Sequence, residues 1–246
     1  MVTDLNYVAG VGNMIKAPIV AVNYKAYYPY SFGGHALRIA KDAKKVWEET
    51  GVQIILAPPY TELRNILEAV KGTEIKVYAQ HADPVEPGAR TGYMPLEGLR
   101  EAGVQGIIIN HSEHRLKLAD INWIIKKAKK LGLEVLVCAD VPETAAAVAI
   151  LKPDIVAVEP PELIGTGIPV SKAKPEVITG SVDLIRSVNK DVIILTGAGI
   201  SKGEDVYVAI KLGTAGVLVA SAIVKASNPY EVIKDMALNA KRAIEQ

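Results

Sequence analysis

Eight short hydrophobic runs, rich in β-branched residues, recur along the chain. Most of them lack the alternation of polar and apolar positions that marks a strand with one face in water. Burial on both faces is typical of parallel strands covered by helices. The sequence therefore predicts eight parallel strands, at 18–23, 52–57, 75–80, 106–110, 133–138, 154–159, 191–196 and 215–220.

Most of the segments between these runs show helical periodicity. Over 35–49, the residues Leu37, Ala40, Ala43 and Trp47 fall on one side and lysines fall largely on the other, as expected of a surface helix that covers a sheet. Similar patterns predict helices at 119–131, 142–150, 176–188, 203–212 and 229–244.

The regular alternation of strand and helix, with no linker between the units, indicates the fold class. It predicts an α/β protein with one closed (β/α)8 barrel of eight parallel strands. A chain of 246 residues fits a single domain of this kind, which we place at residues 15–246. Because chemistry in such a barrel gathers at the carboxyl ends of the strands, we expect functional residues where each strand ends.

Charge and cysteine content limit which partners and which cellular compartment we expect for this protein. Lys plus Arg total 28 and Asp plus Glu total 27, so no net field attracts nucleic acid or an anionic membrane. We expect small molecules or other protein chains as partners. The single cysteine, Cys138, cannot form an internal disulfide, and we interpret it as a buried, inert thiol in a reducing cytoplasm.

The first 14 residues contain no Lys or Arg and no long apolar core. They lack the layout of a secretory signal, so we interpret residues 1–14 as a disordered extension or a start-site artefact. No stretch of the chain approaches the roughly 20 apolar residues that cross a bilayer. We therefore expect a soluble, cytoplasmic protein.

The first predicted strand ends in Asn23-Tyr24-Lys25. In an extended segment, side chains two residues apart share a face, so Asn23 and Lys25 would offer an amide and a cation to one pocket. A lysine at a strand end is also common as a solvated boundary residue, and this tripeptide alone does not exclude that alternative.

The fourth and sixth predicted strands end in ionisable side chains. His111 leaves its strand into a helix-starting Ser112-Glu113 segment, whose backbone N–H groups favour a neutral imidazole, although a structural core histidine would look the same. Glu159 ends an apolar strand and precedes a loop with prolines at its start and glycines at its end, over 160–167. A buried carboxylate needs a partner or a function, and pairing with a lysine is the simpler alternative. The functional alternative is that Glu159 is a catalytic base at a strand end, beside a loop that closes over the substrate.

Mostly small residues end the last two predicted strands, at Gly197-Ala198-Gly199-Ile200-Ser201 and at Ala220-Ser221-Ala222. They let backbone N–H groups approach a phosphate closely, and the loops after strands seven and eight are the recurrent phosphate site of this architecture. The glycine spacing excludes the dinucleotide-binding pattern, and the Gly-Lys-Ser/Thr ending of a P-loop is missing from the sequence.

Taken together, Asn23-x-Lys25, His111-Ser112-Glu113 and the segment from Glu159-Pro160 to Gly165-Thr166-Gly167 closely resemble triosephosphate isomerase. The resemblance runs in order from the first strand to the eighth. It implies a TIM barrel and an aldose-ketose isomerase of glycolysis and gluconeogenesis that needs no cofactor and no metal. The substrate would be a triose phosphate.

The resemblance also implies a role for each site residue. Glu159 would be the base, neutral His111 the electrophile, and Lys25 the cation that supports the enediolate and the phosphate, while Asn23 positions the substrate. Glu113 would pair with Lys25 and hold its orientation. The implied phosphate-binding residues are Ile164, Gly165, Gly199, Ala220 and Ser221.

Several features differ from many members of that family. Ala220-Ser221 stands where two glycines are common, and Gly197-Ala198-Gly199 where Gly-Gly-Ser is common. The short chain without residues 1–14 and the Pro160-Pro161-Glu162 start of the loop resemble the archaeal branch. That branch implies a homo-oligomer, with a tetramer favoured over a dimer, and the segment 83–95 matches the long third loop that contacts a neighbouring subunit.

Other functions remain open from the sequence. A sugar-phosphate aldolase on the same barrel would use a desolvated lysine as a Schiff base, and a phosphate-binding scaffold would have lost the base or the electrophile. His111 and His114 are spaced like metal ligands, but no third ligand follows at suitable spacing. For His81 we expect a structural hydrogen bond rather than a place in the pocket.

Overall fold

The computed structural model describes residues 15–160 and 174–246, and within them eight parallel strands form one closed barrel in sequential order. Each strand pairs with the next, and β8 closes the ring by pairing with β1, with Val20 opposite Val217. The predicted (β/α)8 architecture is confirmed. The strands are β1 (Ile19–Asn23), β2 (Gln53–Ala57), β3 (Lys76–Ala79), β4 (Gly106–Ile109), β5 (Glu134–Ala139), β6 (Ile155–Val158), β7 (Ile193–Thr196) and β8 (Gly216–Val219).

Helices alternate with these strands and cover the barrel. In the described parts of the chain they are α1 (Gly33–Thr50), α2 (Leu63–Ala69), α3 (Leu96–Ala102), α4 (Leu118–Leu131), α5 (Pro142–Ala149), α6 (Pro175–Val188), α7 (Gly203–Lys211), α8 (Ser221–Val224) and α9 (Pro229–Glu245), with a 3-10 turn at Tyr60–Glu62. The six predicted helices are present. The short helices α2, α3 and α8 were not predicted.

The buried face of α1 lies slightly to one side of the predicted one. Its fully buried residues are Ala36, Ile39, Ala40, Ala43 and Val46, whereas Leu37 and Trp47 are only half-buried. The buried residues recur with the 3.6-residue repeat of the helix, and Leu37 and Trp47 lie along the edges of this buried face.

Two layers of apolar side chains form the core. One fills the space between the barrel and its helices, and the other lies inside the barrel itself. Cys138 belongs to the inner layer and is buried, as predicted. Tyr78 also fills the barrel interior, and Gly106 on the neighbouring strand makes room for it, since a β-carbon there would lie 2.6 Å from the Tyr78 ring. The barrel is therefore a packed core rather than a pore.

Candidate active site

A cavity of about 330 Å³ opens at the carboxyl end of the barrel. Strands β1, β6, β7 and β8 and the loops after them supply its walls. Its lining residues are Asn23, Lys25, Tyr27, Glu159, Ala198, Gly199, Ile200, Ser201, Leu218, Val219, Ala220, Ser221 and Ala222. Ile164 and Gly165, which the sequence also placed in the site, lie outside the described residues.

Asn23 and Lys25 line this cavity together, but for a different reason from the predicted one. The backbone turns at Lys25, where φ is +51°, so the segment is not extended. The Lys25 N–H donates to Asn23 Oδ1 at 3.0 Å and closes a tight local turn. The shared position of the two side chains therefore comes from this turn and not from strand alternation.

Lys25 forms an ion pair with Glu113. Its Nζ lies 2.7 Å from Glu113 Oε1, and the lysine side chain is 8% exposed while that of Glu113 is 59% exposed. This contact excludes the interpretation of Lys25 as a solvated boundary residue. A lysine held in an ion pair is also a poor Schiff-base nucleophile, because it is an ammonium ion.

The loop after β4 fixes the tautomer of His111. The Glu113 N–H donates to His111 Nδ1 at 3.1 Å, while the Glu113 carboxylate lies farther from the same nitrogen, at 3.5 Å. Because Nδ1 accepts this hydrogen bond, Nε2 is the ring nitrogen left to donate one. The neutral form of His111 stays a prediction. The expected helix start is wrong, because α4 begins only at Leu118.

Asn110 sets the direction in which His111 leaves the strand. Its φ is +59°, its Nδ2 donates to the Cys138 carbonyl at 2.9 Å, and its Oδ1 accepts from the Leu116 N–H at 3.0 Å. These bonds tie the loop to the end of β5. They also stabilise a left-handed backbone conformation that asparagine adopts more readily than most residues.

Glu159 follows β6 directly and is buried. Its N–H donates to the Ala139 carbonyl at 2.7 Å, which continues the pairing of β6 with β5. Its Oε2 lies 3.7 Å from His111 Nε2. Among the described residues this buried oxygen has no hydrogen-bond partner, so the lysine pairing considered from the sequence is not what surrounds it.

Two neighbours shape the surroundings of the Glu159 carboxyl group. A β-carbon on Gly197 would lie 2.6 Å from Glu159 Cδ, so this glycine makes room for the carboxylate rather than for a phosphate. On the other side lies Cys138. Burial, and then the negative charge of Glu159, raise the pKa of the Cys138 thiol well above its usual value, which keeps the thiol protonated.

The loops after β7 and β8 form the opposite wall of the cavity. Ala198 and Gly199 have φ of +69° and +72°, and they turn the chain toward Ser201. The buried Asp205 accepts from the Ser201 N–H at 3.1 Å and from the Ser201 hydroxyl at 3.0 Å, which fixes the far end of the loop. Gly199, Ala220 and Ser221 therefore lie where the sequence predicted them, in the cavity wall.

The model of the family described as triosephosphate isomerase matches residues 18–236 of this chain. The chain belongs to the triosephosphate isomerase family. Curated relatives with that name support the assignment over most of their own length.

Three such relatives illustrate the similarity, which fits the predicted archaeal branch. The triosephosphate isomerase of Methanocaldococcus jannaschii is 53% identical over 218 residues, which cover 89% of this chain and 98% of that protein. That of Caldivirga maquilingensis is 53% identical over 223 residues, covering 91% and 97%. That of Saccharolobus solfataricus is 46% identical over 230 residues, covering 94% and 99%.

Of the predicted site residues that the structure describes in this member of the triosephosphate isomerase family, all but His111 and Glu113 line the cavity, and these two contact residues that do. The contacts run from Lys25 to Glu113, from Glu113 to His111 and from His111 to Glu159. The sequence analysis did not identify Tyr27 as part of the cavity wall, because nothing in its residue type signals a site.

Two histidines of this triosephosphate isomerase family member lie away from the cavity wall. The rings of His81 and His114 stack with centroids 4.0 Å apart, and His81 Nε2 lies 3.4 Å from Asp83 Oδ1. The expected structural hydrogen bond of His81 is therefore present. In the described ranges, the acidic, histidine and cysteine side chains form no cluster that could hold a metal ion. The same ranges contain no helix long and apolar enough to cross a membrane.

Proposed function

We propose that this protein interconverts dihydroxyacetone phosphate and D-glyceraldehyde 3-phosphate through an enediolate. One observation carries the proposal: a buried oxygen of Glu159, which has no hydrogen-bond partner among the described residues, lies 3.7 Å from Nε2 of His111. A base and a hydrogen-bond donor at this spacing can act on neighbouring atoms of one small carbonyl compound. Family membership supports the choice of substrate.

Glu159 is the base in this mechanism. It removes a proton from the carbon beside the carbonyl group and returns it to the neighbouring carbon. The strand end fixes its backbone through the bond to the Ala139 carbonyl, so the carboxylate has a defined position. Because its Oε2 makes no hydrogen bond to the described residues, no such bond has to be broken before the proton is taken.

His111 is the electrophile. Its Nε2–H donates to the oxygen on which negative charge develops, while its Nδ1 is held by the Glu113 N–H. A fixed donor in a site that excludes water stabilises this charge without having to reorient. A neutral imidazole can do this without losing its proton irreversibly to the intermediate.

Lys25 and Asn23 supply the remaining electrostatic support. The buried ammonium of Lys25 lowers the energy of both the enediolate and the phosphate, and Glu113 holds its orientation through the 2.7 Å ion pair. Since Asn23 Oδ1 already accepts the Lys25 N–H, its amide NH2 group is turned toward other acceptors and can position the substrate.

The phosphate group binds between the loops of the last two strands. We assign backbone donation to Gly199, Ala220 and Ser221, which line the cavity. Ile164 and Gly165 would complete the phosphate site when the loop after Glu159 closes over the substrate. The reaction moves one proton between two neighbouring carbons and one between the oxygens that they carry, and it needs no outside oxidant or reductant, so the proposal includes no cofactor and no metal.

We further propose that the enzyme works in the cytoplasm, in glycolysis and gluconeogenesis, as a homo-oligomer, with a tetramer favoured over a dimer. The segment 83–95 lies outside the helices and strands and is largely exposed, with Tyr93 half exposed, which suits contact with a second copy. Light scattering coupled to size-exclusion chromatography measures the mass of the assembly. A monomer at working concentration would overturn this part of the proposal.

A coupled assay in both directions tests the activity. The protein should convert each triose phosphate into the other, and Glu159→Gln should abolish most of this turnover. Borohydride added with substrate should trap no covalent adduct, whereas capture at Lys25 would instead support an aldolase. Absence of isomerisation by the folded wild-type protein would refute the proposal.

A further inference from the structure

Gln80 lies directly after β3, half-buried, and does not line the cavity. Its amide nitrogen nevertheless contacts the ends of two neighbouring strands. Nε2 lies 2.9 Å from the Ala57 carbonyl oxygen, 3.1 Å from the Lys25 carbonyl oxygen and 3.4 Å from Asn23 Oδ1. One side chain thus links the carboxyl ends of β1, β2 and β3.

The orientation of this amide follows from its partners. Backbone carbonyl oxygens can only accept, so the NH2 group of Gln80 must be the part that faces Ala57 and Lys25. Its two hydrogens match the two shorter contacts. The oxygen of Asn23, which already accepts the Lys25 N–H, is the third and most distant acceptor.

The backbone of Lys25 needs such a support. Its φ of +51° lies in the left-handed region, which a non-glycine residue keeps only when its surroundings impose it. Asn23 holds the N–H of Lys25, and Gln80 holds its carbonyl group. The conformation is therefore fixed on both sides of the Cα atom, and the Cα position fixes where the ammonium can reach.

We propose that Gln80 is a positioning residue for the isomerisation. It holds Lys25 in the left-handed conformation that places the ammonium in the cavity, and it acts through Lys25 and Asn23 rather than by touching the substrate. The inference rests on the proposed function for its kinetic tests, but the conformation of Lys25 can be tested without it.

Gln80→Leu removes the donor and keeps most of the side-chain volume. We expect kcat/KM to fall by about 10-fold or more, because a displaced charge at a reacting centre is costly. Gln53 provides a matched control at the opposite end of the barrel, where it is buried and its Nε2 donates to the Glu74 and Ile54 carbonyls at 2.8 and 3.2 Å. Gln53→Leu should lower the melting temperature and leave kcat/KM unchanged.

A double-mutant cycle shows whether Gln80 acts through Lys25. In a Lys25→Met background, Gln80→Leu should cause little further loss of kcat/KM, because the group that it positions is gone. Two losses that simply multiply would contradict the proposal. If wild type isomerises triose phosphates and Gln80→Leu does so equally well, the inference fails while the proposed function stands.

Gln80→Glu is an isosteric variant for the case in which Gln80→Leu does not fold. It places a carboxylate against three acceptors, so activity relative to wild type should be low at neutral pH and should recover as the introduced carboxyl is protonated and regains a donor. A merely structural role would not produce this pH profile. A ratio to wild type that stays constant with pH would count against the idea.

A crystal structure of Gln80→Leu provides a measurement that does not depend on turnover. Lys25 should leave the left-handed region, and its Nζ should move away from Glu113 Oε1. If φ stays near its present value and the ion pair is intact, Gln80 does not position Lys25, whether or not the protein proves to be an isomerase.

Discussion

The two ends of the barrel treat buried charge in opposite ways. At the amino end, Lys76 and Glu134 begin their strands and form an ion pair, and Tyr78 donates its hydroxyl to Glu134 Oε2 at 2.5 Å. At the carboxyl end, Glu159 follows its strand and keeps one buried oxygen without a hydrogen-bond partner among the described residues. The carboxylate is partly buried at the amino end and buried at the carboxyl end, and among the described residues only the one at the amino end has partners for both oxygens.

The difference separates stability from chemistry. A buried carboxylate that lacks partners raises the free energy of the folded state, so such a group persists only where it serves a purpose. The paired network at the amino end contributes cohesion and has no substrate to meet. Substitutions at the two ends should therefore change different observables, and four experiments test this contrast.

The largest expected effect is on turnover at the carboxyl end. Glu159→Gln should lower kcat by on the order of 10³-fold, or about 4 kcal/mol of barrier, since the proposed base is lost. The melting temperature should not fall, because the charge that is removed was incompletely satisfied. Steady-state kinetics and calorimetry on the same preparation measure both. A destabilised variant would show that Glu159 also supports the fold.

The next effect is on stability at the amino end. Glu134→Ala leaves the buried ammonium of Lys76 without this partner and should cost about 3 kcal/mol of unfolding free energy, with kcat/KM unchanged. Glu74→Ala is the matched control, because Glu74 pairs with Lys16 on the exposed surface at the same end and should cost under about 1 kcal/mol. Urea titrations measure both losses of unfolding free energy. Equal losses for Glu134→Ala and Glu74→Ala would show that the partly buried ion pair stabilises the fold no more than the exposed one.

A smaller and more selective effect is expected for Glu159→Asp. Shortening the side chain by one methylene withdraws the carboxylate and leaves intact the loops that we propose bind the phosphate. We expect kcat to fall by about 10²-fold and KM to change little. Parallel losses in kcat and in affinity for a competitive phosphate inhibitor would argue that Glu159 is not the base.

The smallest effect concerns the pH dependence of stability. Burial, and secondarily His114, lower the pKa of His81 below its ordinary value of 6.5, although Asp83 opposes them. The unfolded chain then binds a proton more readily, so the contribution of neutral His81 is complete above pH 6.5 and is lost as the pH falls through the folded-state pKa. His81→Asn should flatten the decline in unfolding free energy from about pH 7 to about pH 5.

The control for this experiment is His35→Asn, which changes an exposed histidine on α1 and should leave the decline unaltered. At the amino end, Glu134 contributes a pH dependence of stability with the opposite sign. Burial raises the pKa of Glu134, so its contribution is present below 4.5 and is lost as the pH rises through the raised value. If the unfolding free energies of wild type and His81→Asn decline in parallel as the pH falls, the decline does not come from His81.

Much of the fold could be predicted because the strands of this barrel are buried on both faces. All eight were located from their apolar runs, with boundaries within two residues. The helices α2 and α3 are only seven residues long, too short to show a helical period. Short segments such as these are decided by tertiary contacts rather than by local pattern.

In the site, the sequence identified side chains but not the geometry that brings them together. Lys25, His111 and Glu159 were recognisable by type and position at strand ends. The left-handed turn at Lys25 was not, since lysine has no preference for that conformation. Gln80 was missed because its importance comes from the meeting of three strand ends, which no local pattern encodes.

Gly197 shows how the side chain of a neighbour can restrict which residues a position accepts during evolution. Its φ is not positive, unlike that of Gly199, so the requirement for glycine at 197 is spatial and not conformational. The neighbouring side chain of Glu159 fills the space of the missing β-carbon. Consider a library of all substitutions at position 197, selected in cells whose growth requires the isomerase activity. Even Gly197→Ala, the smallest change, should be depleted, although it alters no charge and no hydrogen bond.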